Sequence, residues 1–373
     1  MKGAAASARA ARAERDRRLA GLDFDRAPFT IAWELTRACA YACAHCRADA
    51  QPRRDPRELD TAEALALVDD LAGFGTRPIL VLTGGDPLMR RDVFEIAAHA
   101  DRSGLRVALT PTATALATPV RMAEARAAGV RRVAFSIDAP DAGLHDRFRG
   151  FRGSFERTLR GIEAAAEAGL PLQVNTTVCA LNGHVVEGMV PLLARLGVVQ
   201  WSVFFLVPIG RGRRLAMLSA QGHERLIRRL DRLAPELPFD LKITAAPQHR
   251  RIALERAPGG ELAGAGYRFA DGLRRPAKGV NDGRGFMFVS HRGEVMPSGF
   301  LPLPAGSVRG ESAVRLYREA PLFRELRDPG ALGGKCGRCE YREVCGGSRA
   351  RAHAVTGDHL AADPSCPYEP ASR

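Results

Sequence analysis

From Phe29 onward the chain alternates short apolar runs with amphipathic stretches. Phe29 to Leu35, Pro78 to Leu82, Leu105 to Thr110, Arg132 to Ile137, Leu172 to Val178 and Val198 to Val207 read as strands, bounded by turn residues. Between them, helical periodicity predicts helices over Thr61 to Phe74, with Thr61 as cap, and over Arg91 to Ser103, Pro119 to Ala128, Phe155 to Ala168 and His184 to Leu196. A further helix is expected over Gly222 to Leu233. Six strands alternating with helices imply right-handed crossovers and a parallel sheet, so the fold class is α/β. After about residue 240 the alternation is expected to fail. Gly285 to Pro297, with the turn His291-Arg292-Gly293-Glu294, reads as a hairpin and Ala313 to Leu326 as a helix. The chain divides at this level into a tail (1–27), a barrel-like unit (28–240), a bridging region (241–284, with the Gly- and Pro-rich Ala257 to Val280) and a Cys-rich unit (285–373).

Composition adds little to this frame. Of 373 residues, 46% are hydrophobic, ample for a buried core, and no apolar run approaches the ~20 residues that span a bilayer. The first residues are Arg-rich, but Glu14 and Asp16 argue against a transit peptide and no signal-peptide core is present, so a cytoplasmic protein is expected. The formal charge of +13 comes mostly from arginine, because lysine occurs only at positions 2, 242, 278 and 335. Such a field favours anionic partners. The arginines are scattered rather than interleaved with aromatics, which does not fit base-stacking recognition of nucleic acid.

The eight cysteines change the picture more. In a reducing compartment, clustered cysteines argue for metal ligation over disulfides. Cys39, Cys43 and Cys46 stand in C-x3-C-x2-C spacing after the first strand, and three thiolates so placed can hold three irons of a 4Fe-4S cube. The fourth iron is left open, which a simple electron carrier has no use for and a cosubstrate-binding centre requires. Cys336, Cys339, Cys345 and Cys366 form a second group, which by itself fits a structural zinc knuckle. Cys179 has no Cys neighbour in sequence and reads as a small core residue.

Other polar residues gather at strand ends, where parallel α/β folds bind ligands. The turn Thr83-Gly84-Gly85-Asp86-Pro87 follows the second strand. Ser136 and Asp138 end the fourth, with Arg149 a little further on, and these read equally as strand-end and capping residues. On the fifth strand, alternation puts Asn175 and Thr177 on one face. Val207 and Pro208 close the sixth.

The Cys loop and the Gly-Gly-Asp-Pro turn together resemble the radical S-adenosylmethionine (radical SAM) superfamily, over residues 29 to 368. The resemblance implies a partial (βα)6 TIM-like barrel that binds S-adenosylmethionine (AdoMet) on the cluster of Cys39, Cys43 and Cys46. By position, Gly84, Gly85, Asp86 and Pro87 match the Gly-Gly-Glu-Pro motif, whose carbonyls hold the AdoMet amino group; Asp86 stands for the more frequent Glu. Ser136 and Asp138 then fall to the ribose, Arg149 to the methionine carboxylate, and Val207 to the adenine, with Asn175 also facing the barrel mouth. His45 belongs to the same cofactor loop.

The tail cysteines resemble the SPASM/twitch extension of that superfamily, and Cys336, Cys339, Cys345 and Cys366 match its outer auxiliary 4Fe-4S cluster. Ser298 and Arg349 stand where an inner cluster would need Cys, so two clusters in total are implied. The wording Ala44-His45-Cys46-Arg47-Ala48 and Cys345-Gly346-Gly347-Ser348-Arg349 resembles the haem d1 and alternative haem biosynthesis branch. That branch implies a tetrapyrrole propionate as substrate and a flavodoxin- or ferredoxin-like reductant. The alternative is maturation of a ribosomally made peptide. The residues before the barrel are too few for a leader-binding domain, so a peptide system would need a partner protein. A more distant alternative is a zinc-binding, nucleic-acid-associated protein without catalysis.

Overall fold

The computed structural model describes residues 23–256 and 279–371. Most of the tail expected over 1–27 and most of the stretch from 257 to 280 fall outside the described residues.

The strands are β1 (Thr30–Glu34), β2 (Ile79–Thr83), β3 (Arg106–Leu109), β4 (Arg132–Ser136), β5 (Leu172–Val178), β6 (Gln200–Phe205) and β7 (Asp240–Thr244). All seven pair in parallel and in chain order. Helices α1 (Thr61–Ala72), α2 (Val93–Arg102), α3 (Pro119–Ala127), α4 (Ala142–Arg149), α5 (Ser154–Glu167), α6 (Met189–Arg195) and α7 (Ala220–Leu233) fill the crossovers, and α8 (Gln248–Arg256) follows β7. The α/β class and the partial barrel expected from the sequence are what the structure shows, with one strand more than anticipated. Strand β7, Asp-Leu-Lys-Ile-Thr, is short and polar because it lies next to β6 at the edge of the sheet.

Burial follows the period of two that the sequence carries. In β5, Leu172, Val174, Thr176 and Val178 are buried while Gln173, Asn175 and Thr177 are half-buried on the opposite face. The core beneath the helices includes Trp33, Phe135, Trp201 and Phe205, all essentially inaccessible. Truncating such a side chain, as in Phe135→Ala, costs about 3–5 kcal/mol.

Beyond shifts of a residue or two, three helix boundaries differ from the sequence reading, each for a local reason, and α4 was not anticipated. Asp60, not Thr61, caps α1: its carboxylate accepts from Glu63 N while the Glu63 carboxylate accepts from Asp60 N. The Thr61 hydroxyl instead donates to Asp92. Helix α6 begins only at Met189, after a 3-10 turn over Val186–Gly188, because Gly188 is a poor helix former and Pro191 is tolerated only in a first turn. The helix expected over Ala313 to Leu326 is two, α9 (Ala313–Glu319) and α10 (Pro321–Arg327); Ala320 before the proline turns extended, with ψ 134°.

The predicted hairpin is β8 (Phe286–Val289) and β9 (Glu294–Met296), with β10 (Gly306–Ser307) beyond it. Strand β8 also pairs in parallel with β1. The Cys-rich region thus continues the same ten-stranded sheet. Two short helices, α11 (Gly334–Arg338) and α12 (Arg349–Thr356), carry the last stretch. Among the described residues, no helix is long and apolar enough to cross a membrane.

Candidate functional site

The loop after β1 is held before any ligand arrives. Cys39 N donates to Gln51 O at 2.8 Å and Gln51 N to Arg37 O at 2.9 Å. Thr36 Oγ1 donates to Glu58, which also accepts from Arg54. The turn after β2 is clamped onto this loop by backbone alone: Gly85 N donates to Thr36 O at 2.8 Å and Asp86 N to Ala38 O at 2.7 Å. A Cβ on Gly84 would stand 2.4 Å from Thr36 O, and one on Gly85 2.3 Å from Ala38 O, so this approach admits glycine only.

Cys39, Cys43 and Cys46 line one cavity of about 200 Å³ at the carboxyl ends of the strands. Each sulfur already receives an N–H: Cys39 from Tyr41 N (3.4 Å), Cys46 from Ala50 N (3.5 Å) and Cys43 from Arg149 Nη1 (3.8 Å). Burial pushes the Cys39 and Cys43 thiols up, against the pull of these donors and, at Cys43, of the Arg149 charge. Ligation to iron as thiolates would reverse that burden, and N–H groups aimed at the sulfurs are what such a ligand set uses.

Of the residues singled out in the sequence, His45, Gly84, Gly85, Ser136, Arg149 and Val207 line the same cavity, as does Thr177. Asp138 lies buried behind them. Its Oδ2 is 3.1 Å from Arg149 Nη2 and 3.8 Å from His45 Nε2, and its Oδ1 accepts from Thr177 N at 2.8 Å. Burial alone would raise the Asp138 carboxyl, but Arg149, His45 and His145 outweigh it and hold it below the usual range. The contact to Arg149 is close enough for an ion pair but misaligned for a hydrogen bond, and His45 Nδ1 is likewise without a partner. Burial pushes His45 down to about 4, so its ring is neutral near pH 7.

Asp86, Pro87 and Asn175 sit beside the cavity rather than in its lining. The Asp86 carboxylate turns inward to Leu88 N, Thr112 N and Thr114 Oγ1, and burial raises it to about 6. Pro87 opens the 3-10 turn that Asp86 caps. Asn175 shares its face with Thr177 but accepts from Gln173. Sequence reading passed over Thr112, which donates to Gly85 O at 2.7 Å, and Arg211, which donates to Cys43 O at 2.9 Å and Ala50 O at 3.0 Å. No spacing rule marks either one. Cys179 packs with Phe148 and Leu206 in the core, away from the other thiols.

The second group also converges. Cys336, Cys339, Cys345 and Cys366 line one small cavity of about 20 Å³. Burial pushes Cys345 up to about 12 and Cys366 to about 11. Cys336 Sγ accepts from Asp363 N at 3.4 Å and from Arg349 Nη2 at 3.7 Å. Among the described residues, no three His, Cys, Asp or Glu side chains close on a single-ion site; the four thiols instead border a shared space. Ser298 caps the turn before Leu301, and Arg349 spans Cys336 and the carbonyls of His359 and Ala361.

A parallel α/β sheet with three thiols at the carboxyl end of its first strand, clamped to a Gly-Gly turn after the second, is the arrangement expected of a radical SAM protein. The chain belongs to the radical SAM superfamily, whose family model matches residues 33–196. The superfamily works with AdoMet and a 4Fe-4S cluster. The AdoMet-dependent heme synthase of Methanosarcina barkeri is 44% identical over 349 residues, covering 93% of this chain and 98% of the relative. That of Nitratidesulfovibrio vulgaris is 42% identical over 342 residues, covering 91% and 92%. The PqqA peptide cyclase of Rhodopseudomonas palustris is 29% identical over 351 residues, covering 92% and 88%. Among solved structures, Streptococcus suis SuiB bound to S-adenosylmethionine superposes with a TM-score of 0.70 at 13% identity, over 92% of this chain and 78% of that one. The likeness to SuiB is one of fold.

Proposed function

We propose that this radical SAM enzyme acts on a propionate side chain of a tetrapyrrole, as a haem-forming enzyme, with a second, auxiliary cluster in its tail. The observation that carries this reading is the 44% identity maintained over 98% of an AdoMet-dependent heme synthase.

Cys39, Cys43 and Cys46 would hold the first 4Fe-4S cluster, and Cys336, Cys339, Cys345 and Cys366 the second. When bound, the first cluster and AdoMet would supply the reductive radical chemistry that removes a hydrogen atom from the substrate. The chain's own residues prepare for this. The Gly84 to Pro87 turn offers carbonyls to an amino group, while Arg149 offers a planar fork to a carboxylate, oriented by Asp138 behind it. Ser136, which lines the cavity, is assigned to the ribose side and Val207 to the adenine, with Asp138 acting from behind through Arg149. His45, neutral and half-enclosed, adds a polar edge without adding charge. The barrel wall keeps water and stray hydrogen donors from the reacting atoms. The electron is assigned to a flavodoxin- or ferredoxin-like donor, to which a basic surface is suited.

The peptide reading is kept because a PqqA peptide cyclase matches 92% of this chain. Anaerobic reconstitution counts the clusters, and a porphyrin assay separates the two readings. About eight irons in wild type, falling to about four in the Cys39/Cys43/Cys46→Ala variant, are expected for two four-iron clusters. Deoxyadenosine made only by wild type, with mass loss from a propionate-bearing iron porphyrin, supports the proposal. Zinc in place of iron in the tail sinks the auxiliary cluster, and deoxyadenosine formation that leaves the porphyrin unchanged sinks the substrate assignment.

A further inference from the structure

Two arginines line the cavity, and each is backed by a buried carboxylate. Arg149 rests on Asp138 at 3.1 Å; Arg47 rests on Glu34, its Nη1 donating to Oε2 at 2.9 Å. Asp138 follows β4 and Glu34 ends β1, so β2 and β3 lie between the two pairs. Among the described residues that line the cavity, none is Asp or Glu. The first pair is accounted for by the cofactor's carboxylate. The second has no assigned ligand.

Arg47 is held as a binding group would be. Its guanidinium carbon lies 4.6 Å from the centroid of the Phe288 ring, on β8, which fixes its plane. Glu34 is shared with His291, whose Nδ1 lies 2.8 Å from Oε1, so Glu34 is a support with two claims on it. That single bond to Glu34 uses one of the five N–H groups of the guanidinium. The chain passes directly over Arg47 at Gly299, where a Cβ would stand 2.9 Å from Arg47 Cζ and 2.9 Å from the Phe288 ring. Next in sequence, Phe300 meets Phe204, with ring centroids 6.3 Å apart, and both rings line the cavity. Arg47, Phe300 and Phe204 thus line the same cavity, with Phe288 buried against the guanidinium.

We propose that Arg47 is the anchor for a substrate carboxylate, and that the Phe204–Phe300 pair receives the flat apolar body of the same substrate. This rests on the tetrapyrrole reading and specifies it: a carboxylate gripped by Arg47 brings its side chain next to the Cys46 end of the cavity. Arg47 acts here as a substrate-binding residue, through direct contact with the acid group.

The test is a binding titration of reconstituted protein with a porphyrin bearing free propionates and with its methyl ester, followed by fluorescence quenching. Wild type is expected to prefer the free acid by about 10-fold or more, the size of one charge-assisted hydrogen bond. In Arg47→Gln that preference disappears, in Arg47→Lys part of it survives, and Phe300→Ala weakens acid and ester equally. Iron content is measured for every variant, and if it falls in Arg47→Gln, Arg47→Lys alone decides. An undiminished preference for the acid in the arginine variants overturns the inference while leaving the tetrapyrrole reading in place. Wild type that binds neither porphyrin overturns both.

Discussion

Arg351 and Asp363 form an ion pair 3.4 Å apart, with neither side chain exposed to solvent, at the seam between the Cys-rich tail and the sheet. Arg351 donates to the carbonyls of Phe205, Leu206 and Ala245, where β6 and β7 end. Asp363 accepts from Ser348 N and Gln248 Nε2, and its own N–H reaches Cys336 Sγ. One buried pair therefore ties a tail thiol to the sheet edge. Removing one partner leaves the other charge uncompensated, so Asp363→Ala is expected to cost about 3–5 kcal/mol in urea unfolding. Replacing both with apolar residues, Arg351→Met with Asp363→Leu, should recover part of that loss. A single variant that unfolds like wild type would show that the seam carries no such energy.

The close approach of Gly85 to Ala38 gives a sharper expectation. Gly85→Ala forces the turn and the Cys loop apart, because its Cβ would meet the Ala38 carbonyl at 2.3 Å. The three cysteines lie on a loop that Thr36, Glu58 and Gln51 also secure. The variant should therefore retain most of its first-cluster iron yet lose AdoMet binding at least about 10-fold, as an amino-group site is displaced. Equilibrium dialysis with labelled AdoMet, beside an iron count, checks it. Unchanged AdoMet affinity would remove the turn from the cofactor site.

Arg149 is expected to act on the cofactor and not on the substrate. Arg149→Gln removes the fork that faces the cavity and leaves Asp138 without its cation, so the AdoMet Kd should rise about 10- to 100-fold. Porphyrin affinity should hold. Arg149→Lys keeps the charge but not the bidentate geometry and should fall between the two. Isothermal titration with each ligand distinguishes this outcome from a general collapse, in which both affinities fall together.

Much of the site was legible because its elements rest on local rules. The period of two in β5 placed Thr177 and Asn175 on one face, and the Gly-Gly-Asp-Pro turn stood at a strand end, where ligands are bound. Cys spacing located both thiol groups. What could not be read depends on contacts between distant segments. Glu34 sits at the end of an apolar strand and gives no sign that His291, 257 residues later, will share it. Arg47 meets Phe288 only because β8 pairs with β1. Likewise Arg351 is one of many arginines in sequence, and only its burial among three carbonyls sets it apart. Strand β7 was missed because an edge strand with one polar face lacks the apolar run that marks its neighbours.

Acid should unfold the iron-free protein in a particular window. Burial pushes His45, His145 and His223 down to about 4 and His249 to about 3, against an ordinary value of 6.5. Each lowered pKa means the folded state holds the neutral ring, so its contribution to stability is full above about 6.5 and is lost as pH falls through about 4. For one such group the change approaches about 3 kcal/mol. Urea unfolding at pH 7, 6, 5 and 4 should therefore show stability falling as the pH is lowered, with the unfolded chain taking up the protons. His223 lies outside the cofactor loop, its ring tilted against Phe205 at 5.1 Å between centroids, with Nδ1 on the Ser219 carbonyl. His223→Gln should lower stability at pH 7 through lost packing but flatten the fall between pH 6.5 and 4 by close to one proton's worth of slope. If the variant keeps the wild-type slope, His223 does not titrate with unfolding and its burial carries no pH dependence.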